Sequence, residues 1–342
     1  MIENITRYRY QMDKSTMKAL TYEKYGSPDV LKMNTIDIPQ IEDNEMLIKV
    51  HAASVNTIEI FYRSGIKVFF GLSRLATGIR KPRKKDTGFD VAGEIVQIGA
   101  GITKFKVGNQ VYGVARTGSC AEYAKVSENG IALKPTSMSY AEAAAVPVAG
   151  LTALQFLRDV GNIQGGQKVL IYGASGGTGT YTVQLAKHYD ADITAVCSAK
   201  NKQLVESLGA DLVIDYTKED FTKRAEKYDL IIDAVGKIPL SKWKNSLKEN
   251  GTFANVGSPS MPMIGFYLRV LGNKFRKKKM RTMTTQNKRE DLEFLAKLID
   301  EGKIKSIIDK SYSLEETAEA QRYYEKGHTA GKVVINVIED LG

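Results

Sequence analysis

The sequence has few of the residues that form disulfides and metal centres. In 342 residues it contains two cysteines and three histidines: Cys120, Cys197, His51, His188 and His328. Two cysteines make no disulfide framework, and this usage fits a reducing cytoplasm. Because the cysteines lie far apart and the histidines are isolated, these residues cannot build the usual tetrahedral zinc sites. We therefore predict a cytoplasmic protein without a bound metal.

Long apolar stretches are also missing. No run reaches the roughly 18 apolar residues that a membrane-spanning helix needs, and the first residues lack the apolar centre of a signal peptide. We interpret residues 1–16 as a short polar leader before the first domain. With 43% apolar and 26% charged residues, the composition is that of an ordinary globular protein. The length of the chain suits two domains.

Acidic residues are outnumbered by basic ones, and the net charge is +10. The basic residues concentrate in the segments RKPRKK at 80–85 and KFRKKKMR at 274–281. Neither segment carries a recognisable RNA- or DNA-binding motif. A solvated face, or an electrostatic funnel for a phosphorylated cofactor, accounts for them better than nucleic-acid binding does. We therefore expect no nucleic-acid partner.

The pattern of apolar residues predicts an α/β fold with a β-rich front. Residues 17–135 contain short β-branched segments separated by glycines and turn residues, which is typical of a barrel or sandwich. From residue 168, apolar strands alternate with helical segments, which predicts a parallel, doubly wound sheet. The tail returns to a mixed pattern, so we expect the two ends of the chain to fold together. Helices of the α/β part are predicted at 177–188, 200–208, 218–227 and about 239–248.

A glycine cluster, GASGGTG at 173–179, joins a predicted strand to a predicted helix. Its spacing follows the G-x-G-x-x-G fingerprint of dinucleotide sites, with Ala174 in place of the first glycine. Gly176 would let a pyrophosphate approach the backbone, and Gly179 would let the helix pack closely on the strand. The helix N-terminus would offer N–H groups and its dipole to the phosphates. A tight turn without a ligand is the alternative, but the further strand–helix units favour a dinucleotide.

The end of the second strand of this unit indicates which dinucleotide is bound. NAD sites carry an acidic residue there, about 20 residues after the glycines, which binds the ribose 2′-hydroxyl. Here Ser198 occupies that position and Lys200 follows, and a hydroxyl beside ammonium groups suits a 2′-phosphate. Tyr216, at the end of the third strand, would add another hydroxyl. Asp215 counts against this interpretation, although strand alternation directs it to the other face, so the sequence favours NADPH over NADH.

Several segments occur in the order typical of one enzyme superfamily. They are AASVNTIEIFYRSG, GFDVAGEIVQIGAGITKFKVGNQVYG, AAAVPVAGLTALQFL, GASGGTG, LGADLVIDY and GHTAGKVVI. In this set the chain resembles the medium-chain dehydrogenase/reductase superfamily, and more narrowly its zinc-free quinone oxidoreductase (zeta-crystallin-like) branch. The resemblance implies a homodimer with a GroES-like β-rich catalytic domain at 17–145, completed by 286–342. It also implies a Rossmann cofactor domain at 146–285.

The positions of the superfamily's catalytic zinc ligands hold other residues here. Asn56 stands where the family has a cysteine, Phe89 and Asp90 stand in its G-H-E segment, and the four-cysteine structural zinc loop has no counterpart. The resemblance thus implies zinc-independent hydride transfer from NADPH to a quinone or an α,β-unsaturated carbonyl, which is already electrophilic. Asn56 and Tyr62 are the candidate catalytic residues. The alternative for Asn56 is pairing with loop backbone, and that for Tyr62 is ordinary packing, since the family's tyrosine aligns with Phe61.

By resemblance, further residues would surround the cofactor. With the residues of the 2′-phosphate pocket, the full set is Asn56, Thr152, Ser175, Gly176, Gly177, Thr178, Ser198, Lys200, Tyr216, Val235, Val256, Gly257 and Lys332.

Two other functions stay open at this point. One is NAD(P)-dependent alcohol or aldehyde oxidoreduction. The other is nucleic-acid or membrane-surface binding by a protein that keeps the same scaffold. The second rests on the two basic runs at 80–85 and 274–281. These runs lie within longer segments, 66–85 and 261–281, which mix large apolar residues with basic ones. We prefer a lid over the substrate pocket or a subunit interface as the role of both segments.

Overall fold

The computed structural model describes residues 15–65, 77–236, 242–256 and 277–338. Most of the polar leader, Gly257 and large parts of the two basic–apolar segments lie outside these residues. Within them, no helix is both long enough and apolar enough to cross a membrane.

The described residues contain both strands and helices. The strands are β1 (Thr16–Thr21), β2 (Lys32–Asp37), β3 (Glu45–Ser54), β4 (Asp90–Ile98), β5 (Gln110–Val114), β6 (Tyr123–Ser127), β7 (Ile131–Leu133), β8 (Lys168–Tyr172), β9 (Asp192–Cys197), β10 (Leu212–Asp215), β11 (Tyr228–Asp233), β12 (Leu247–Asn255), β13 (Lys279–Arg281), β14 (Ile308–Ser313) and β15 (Lys332–Asn336). The α-helices are α1 (Thr57–Ser64), α2 (Tyr140–Ala144), α3 (Pro147–Gln155), α4 (Gly177–His188), α5 (Lys202–Ser207), α6 (Trp243–Ser246), α7 (Arg289–Asp300) and α8 (Thr317–Glu325).

The front of the chain and its tail build one sheet. Its strands pair in the order β14-β15-β3-β4-β5-β7, with β6 also paired to β3. β15 runs antiparallel to β3, so the tail is hydrogen-bonded to the strand that leads into α1. The interior positions of β3 and β4 are almost continuously buried. This sheet therefore places residue 332 close to the end of β3.

The middle of the chain forms a parallel sheet. Its order is β10-β9-β8-β11-β12-β13, which is the third-second-first-fourth-fifth-sixth arrangement of a Rossmann unit. The α/β prediction is confirmed. In such a sheet, ligands bind outside the carboxyl ends of the strands, where the order reverses. That point lies between β8 and β11, at the glycine cluster.

Two of the predicted helices are wrong in extent. The helix predicted at 177–188 is α4, and the one at 200–208 is a 3₁₀ turn followed by α5. In place of a helix at 218–227 there is only a 3₁₀ turn, Phe221–Lys223. Its cause is local: Asp220 accepts hydrogen bonds from the N–H and hydroxyl of Thr222, and such side-chain bonds compete with helix formation. α6 is shorter than the helix predicted at about 239–248, because β12 already begins at Leu247.

One apolar core lies between the two sheets. It includes Ala92 and Tyr112 from the first sheet, and Val169 and Ile171 from the parallel sheet. The apolar face of α7 completes it, with Leu292, Leu295, Leu298 and Ile299. Each such buried side chain stabilises the fold by about 1.5–3 kcal/mol. The two sheets are therefore packed against each other through a shared core.

Candidate cofactor and active site

The glycine cluster forms a tight turn between β8 and α4. Gly173 has φ 82°, a left-handed conformation that glycine adopts without strain. A Cβ on Gly179 would lie 2.1 Å from the Gly173 carbonyl oxygen, whereas a Cβ on Gly176 would meet nothing closer than 3.5 Å. Gly179 is thus needed for packing between helix and strand, while Gly176 faces open space.

The first turn of α4 is directed into that open space. Because α4 begins at Gly177, the N–H groups of its first turn have no acceptor within the helix. Asn201 Nδ2 donates to Ser175 Oγ at 2.9 Å, and the Gly331 N–H donates to the Ser175 carbonyl oxygen at 2.9 Å. The turn is therefore held from both sides, and its N–H groups and helix dipole are oriented for an anion.

The residues predicted to bind the 2′-phosphate lie at the ends of β9 and β10. Ser198 precedes a 3₁₀ turn, Ala199–Asn201. The Tyr216 N–H donates to the Cys197 carbonyl oxygen at 3.2 Å, and the Tyr216 side chain is 43% exposed. Lys200 Nζ lies 3.3 Å from the His328 carbonyl oxygen. The structure thus brings these side chains to one edge of the parallel sheet.

The Asp215 carboxylate lies closer to the residues predicted to bind the 2′-phosphate than strand alternation suggests. It accepts hydrogen bonds from the hydroxyl and the N–H of Thr217. These bonds, with a smaller contribution from the Ala199 backbone, lower the pKa of the Asp215 carboxyl group. The carboxylate is therefore ionised at neutral pH, and it folds back onto the loop after β10.

A buried group of polar side chains lies beneath the glycine turn; we call it the ionic cluster. Its members are Ser54, Asn56, Glu59, Asp90 and Lys332, and each is at most 5% exposed. Lys332 Nζ donates to Asn56 Oδ1 at 2.6 Å and to Asp90 Oδ2 at 3.2 Å. Ser54 Oγ and Asn56 Nδ2 also donate to Asp90 Oδ2, at 2.5 and 2.9 Å. The cluster joins the end of β3, the start of β4 and the start of β15.

The ionic cluster touches the glycine turn directly. A Cβ on Gly177 would lie 2.9 Å from Lys332 Cδ, so the lysine side chain passes under the start of α4. A β-bridge between Gly176 and Gly331 fixes this contact. Val235 closes the other side, because a Cβ on Gly173 would lie 2.4 Å from Val235 Cγ2.

Family models and known proteins agree with this architecture. Residues 42–156 match the alcohol dehydrogenase GroES-like domain, and residues 208–335 match the zinc-binding dehydrogenase family. The 2-methylene-furan-3-one reductase of Solanum lycopersicum is 36% identical over 338 residues, which cover 95% of this chain and 80% of that protein. The chloroplastic NADPH-dependent alkenal/one oxidoreductase of Arabidopsis thaliana is 34% identical, over 93% of this chain and 79% of that protein.

A solved structure has the same fold over nearly the whole chain. The quinone oxidoreductase from Coxiella burnetii superposes with a TM-score of 0.83 at 32% identity, covering 94% of this chain and all of that one. The chain belongs to the medium-chain dehydrogenase/reductase superfamily. Within this superfamily, the relatives place it in the quinone oxidoreductase branch.

The superfamily's catalytic zinc does not fit the side chains found here. At the positions of its ligands, Asn56 and Asp90 are both bound by the Lys332 ammonium group, which supplies the positive charge locally. Phe89 offers no ligand atom, and its ring stacks on Tyr62 with centroids 5.9 Å apart. Within the described part of the chain, no group of three or more histidine, cysteine, aspartate or glutamate side chains is arranged to hold a metal.

Asn56 is directed inward rather than toward the open space. Its Oδ1 accepts from Lys332, and its Nδ2 donates to Asp90 and lies 3.3 Å from both the Ser54 carbonyl oxygen and Glu59 Oε1. Both amide hydrogens are therefore used within the protein. In this arrangement Asn56 has no hydrogen left to donate to a bound carbonyl.

Two other predicted residues are placed beside the sheet's carboxyl edge. Thr152 Oγ1 donates to the Val148 carbonyl oxygen at 2.6 Å and lies 3.0 Å from Thr285 Oγ1. Val256 follows β12, and its N–H donates to the Asp233 carbonyl oxygen. The third residue at this edge, Gly257, lies outside the described residues.

Sequence reasoning missed Glu59. It lies on α1, a helix that is not among those predicted from the sequence, and is 2% exposed. The sequence carries one signal: Glu59 and Arg63 are spaced four apart, so on a helix they lie on the same face. The structure buries both. Charged residues on the inward face of a helix are rare unless they are paired, so that face predicts a polar cluster.

Proposed function

We propose that this protein is a zinc-independent, NADPH-dependent reductase of quinones or α,β-unsaturated carbonyls. The Solanum and Arabidopsis relatives are named for such carbonyl substrates, and the Coxiella relative for quinones. The single observation that carries the proposal is the glycine turn. There Gly176 faces open space at the reversal point of a Rossmann sheet, above a lysine held by two acceptors.

The residues of the turn would hold the pyrophosphate of the cofactor. Residues 175–178 present the helix N-terminus, and Lys332 adds a positive charge below it. Val235, Val256 and Thr152 would border the nicotinamide side of the turn. Further along the same edge, Ser198, Lys200 and Tyr216 would bind the 2′-phosphate through hydroxyl and ammonium groups.

When bound, NADPH supplies a hydride to the acceptor. An enone that accepts this hydride at its β-carbon would need a proton at its α-carbon, where the electron pair of the C=C bond would bind it. We propose that the half-buried Tyr62, packed against Phe89, contacts the acceptor, and that solvent supplies this proton. We assign Asn56 the role of positioning Lys332 and Asp90, because its amide is fully used within the ionic cluster.

The cofactor assignment is tested by replacing Ser198 with aspartate. A carboxylate at that position repels a 2′-phosphate but accepts from a 2′-hydroxyl. We expect Ser198→Asp to raise the KM for NADPH about tenfold or more and to leave the KM for NADH nearly unchanged. The readout is the loss of reduced nicotinamide absorbance with a panel of quinones and enones.

The matched control is Ser207→Asp, which adds the same charge at an exposed position on α5. It should leave both KM values unchanged. If Ser198→Asp changed the KM values for NADPH and NADH by the same factor, the assignment of the 2′-phosphate pocket would be wrong. If neither NADPH nor NADH were oxidised with any acceptor of the panel, the proposed reductase activity would be wrong.

The alternatives from the sequence are not favoured. Alcohol or aldehyde oxidoreduction assisted by zinc requires ligands that Asn56 and Phe89 do not supply, and activity lost on chelation would revive it. The Solanum, Arabidopsis and Coxiella relatives are named for reductase activities and not for nucleic-acid or membrane-surface binding. The cytoplasmic location, the homodimer and the domain boundaries at 145/146 and 285/286 stay predictions.

A further inference from the structure

The ionic cluster contains two carboxyl groups and one ammonium group. Asp90 is well stabilised as an anion: besides its contacts in the cluster, its Oδ1 accepts from the Val148 N–H at 2.8 Å. Glu59 is not. Its Oε1 accepts only a 3.3 Å contact from Asn56 Nδ2, and among the described residues its buried Oε2 has no hydrogen-bond partner. The geometry therefore stabilises the charge on Asp90 and leaves the charge on Glu59 poorly compensated.

The balance of effects at Glu59 favours its neutral form. Burial and the nearby Asp90 carboxylate raise the pKa of Glu59 to about 8, against the opposing influence of Lys332, Asn56 and Lys84. Glu59 therefore carries a proton at neutral pH and loses it in the mildly alkaline range.

Two groups near Glu59, Cys120 and Tyr324, keep their protons in that range. Burial raises the pKa of the Cys120 thiol and of the Tyr324 phenol above their ordinary values, so neither ionises between about pH 7 and pH 9. The charged and titratable groups around Glu59 include Asp90, Lys332, Lys84, Cys120 and Tyr324. Arg63, one helical turn further along α1, is also buried and is paired with Glu325.

Lys332 connects this proton to the glycine turn. Its side chain contacts Gly177 through Cδ and the ionic cluster through Nζ. With Glu59 protonated, the cluster has no net charge, because Lys332 balances Asp90. With Glu59 ionised, the cluster has one net negative charge, and Lys332 joins this cluster to the turn.

We propose that Glu59 is a positioning residue whose proton controls the affinity of the glycine turn for the anionic cofactor. This inference rests on the proposed binding of NADPH at residues 173–179. A bound pyrophosphate adds negative charge near the cluster and so holds the proton on Glu59 more tightly. By linkage, the proton must then hold the cofactor more tightly by the same factor. Binding of NADPH therefore takes up protons, and it weakens as Glu59 ionises.

The direct test is the Kd for NADPH, measured by titration calorimetry on the full chain at pH 7, 8 and 9. For the wild type we expect the Kd to rise about fivefold from pH 7 to pH 9, as a cofactor-induced pKa shift of about one unit would give. The 2′-phosphate contributes little to this change, because with a second pKa of about 6 it is already about nine-tenths ionised at pH 7. For Glu59→Gln, which is neutral at every pH and keeps an acceptor for Asn56, we expect one Kd throughout, equal to the wild-type value at pH 7.

The matched control is Glu45→Gln. Glu45 is also buried in the first sheet, but it is paired with Lys125 at 2.9 Å, and it takes no part in the glycine turn or the ionic cluster. This variant should keep the wild-type dependence of Kd on pH. A merely structural role for Glu59 would lower the affinity of Glu59→Gln at all pH values without removing the dependence, and that result would overturn the inference.

A second measurement needs no variant. At pH 8, the observed binding enthalpy of the wild type in two buffers of different ionisation enthalpy gives the number of protons exchanged. We expect a net uptake of a fraction of one proton for each NADPH bound. Binding without proton uptake and without pH dependence overturns the role of Glu59 and leaves the proposed function standing. No NADPH binding at any pH overturns both.

Discussion

Lys332 holds the ionic cluster together by neutralising a buried carboxylate. Its Nζ and the Asp90 carboxylate are 3.2 Å apart, with both side chains almost fully buried. Replacing only one member of such a pair leaves an uncompensated charge in the interior, which costs far more than losing both. The lysine thus serves stability as well as the proposed binding of phosphate.

We predict that Lys332→Met lowers the free energy of unfolding by about 3–5 kcal/mol. The double variant Asp90→Asn with Lys332→Met should recover a large part of that loss, because no charge is left unpaired. Urea denaturation of the wild type, both single variants and the double variant measures the coupling. Additive losses would show that the two side chains do not stabilise each other.

Glu59 gives the stability of the protein a dependence on pH. Its pKa is raised from 4.5 to about 8 in the folded protein, so above about pH 5 the folded state holds a proton that the unfolded state has lost. This contribution is complete at low pH and is lost as the pH rises toward 8. We expect the melting temperature of Glu59→Gln, relative to the wild type, to be higher at pH 8.5 than at pH 5.

The pH control is again Glu45→Gln. Lys125 and the Glu42 backbone N–H lower the pKa of the Glu45 carboxyl group despite its burial, so it stays ionised from about pH 6 upward in both states. The melting temperature of Glu45→Gln relative to the wild type should therefore be constant between pH 6 and pH 8.5. If the melting temperatures of both variants, relative to the wild type, changed with pH in the same way, groups other than Glu59 would cause the pH dependence.

At the residue scale, the sequence predicted the parts of the site that depend on local backbone. The glycine turn follows from residues adjacent in the chain, whose spacing is fixed by strand and helix geometry. The ionic cluster joins Asn56, Asp90 and Lys332, and Lys332 lies 276 positions beyond Asn56. Its contacts arise from the pairing of β15 with β3, which no local pattern specifies. The inward direction of the Asn56 amide depends on the same pairing.

At the element scale, the turn between β8 and α4 combines two glycines with different roles. Gly179 has no room for a side chain, whereas Gly176 has room and an ordinary φ of −79°. We predict that Gly179→Ala lowers stability by about 2 kcal/mol or more, because its methyl group would overlap backbone.

Gly176→Ala is the matched partner of that variant. It should melt within a degree or two of the wild type and yet bind NADPH about tenfold or more weakly, since the methyl group would occupy the space proposed for the pyrophosphate. Thermal melts and calorimetric titrations separate the two effects. Unchanged NADPH affinity in Gly176→Ala would place the cofactor away from this turn.

The predicted helices were accurate where no side chain competes with the helix for backbone hydrogen bonds. α4 begins and ends where the sequence placed it, because glycines precede an uninterrupted helical pattern. The segment 218–227 has helical residues but also Asp220, whose side chain bonds the backbone two residues later. α1 was missed because its inward positions are charged, which conceals the usual apolar periodicity.

At the scale of the whole molecule, the two sheets share one continuous core. The only tryptophan of the chain, Trp243, packs in a second core on the parallel sheet, where its ring stacks on Phe253 with centroids 4.8 Å apart. Since the parallel sheet joins both cores, its loss should expose both together.

We therefore predict a single unfolding transition. In urea, the midpoint from Trp243 fluorescence should coincide with the midpoint from far-ultraviolet circular dichroism, which reports both sheets. Two separated midpoints would show that the parallel sheet unfolds independently of the first sheet.

The position of β15 has a consequence for synthesis. This strand lies between β14 and β3 and carries Lys332, which is 242 positions after Asp90. At a translation rate of about 5–20 residues per second, the ribosome takes roughly 10–50 s between these two residues. Throughout that interval Asp90 lacks the lysine that neutralises it, and once residues 173–179 are made the glycine turn also lacks the lysine that lies under it. The newly made protein can therefore complete the proposed cofactor site only when β15, one of its last strands, inserts between β14 and β3.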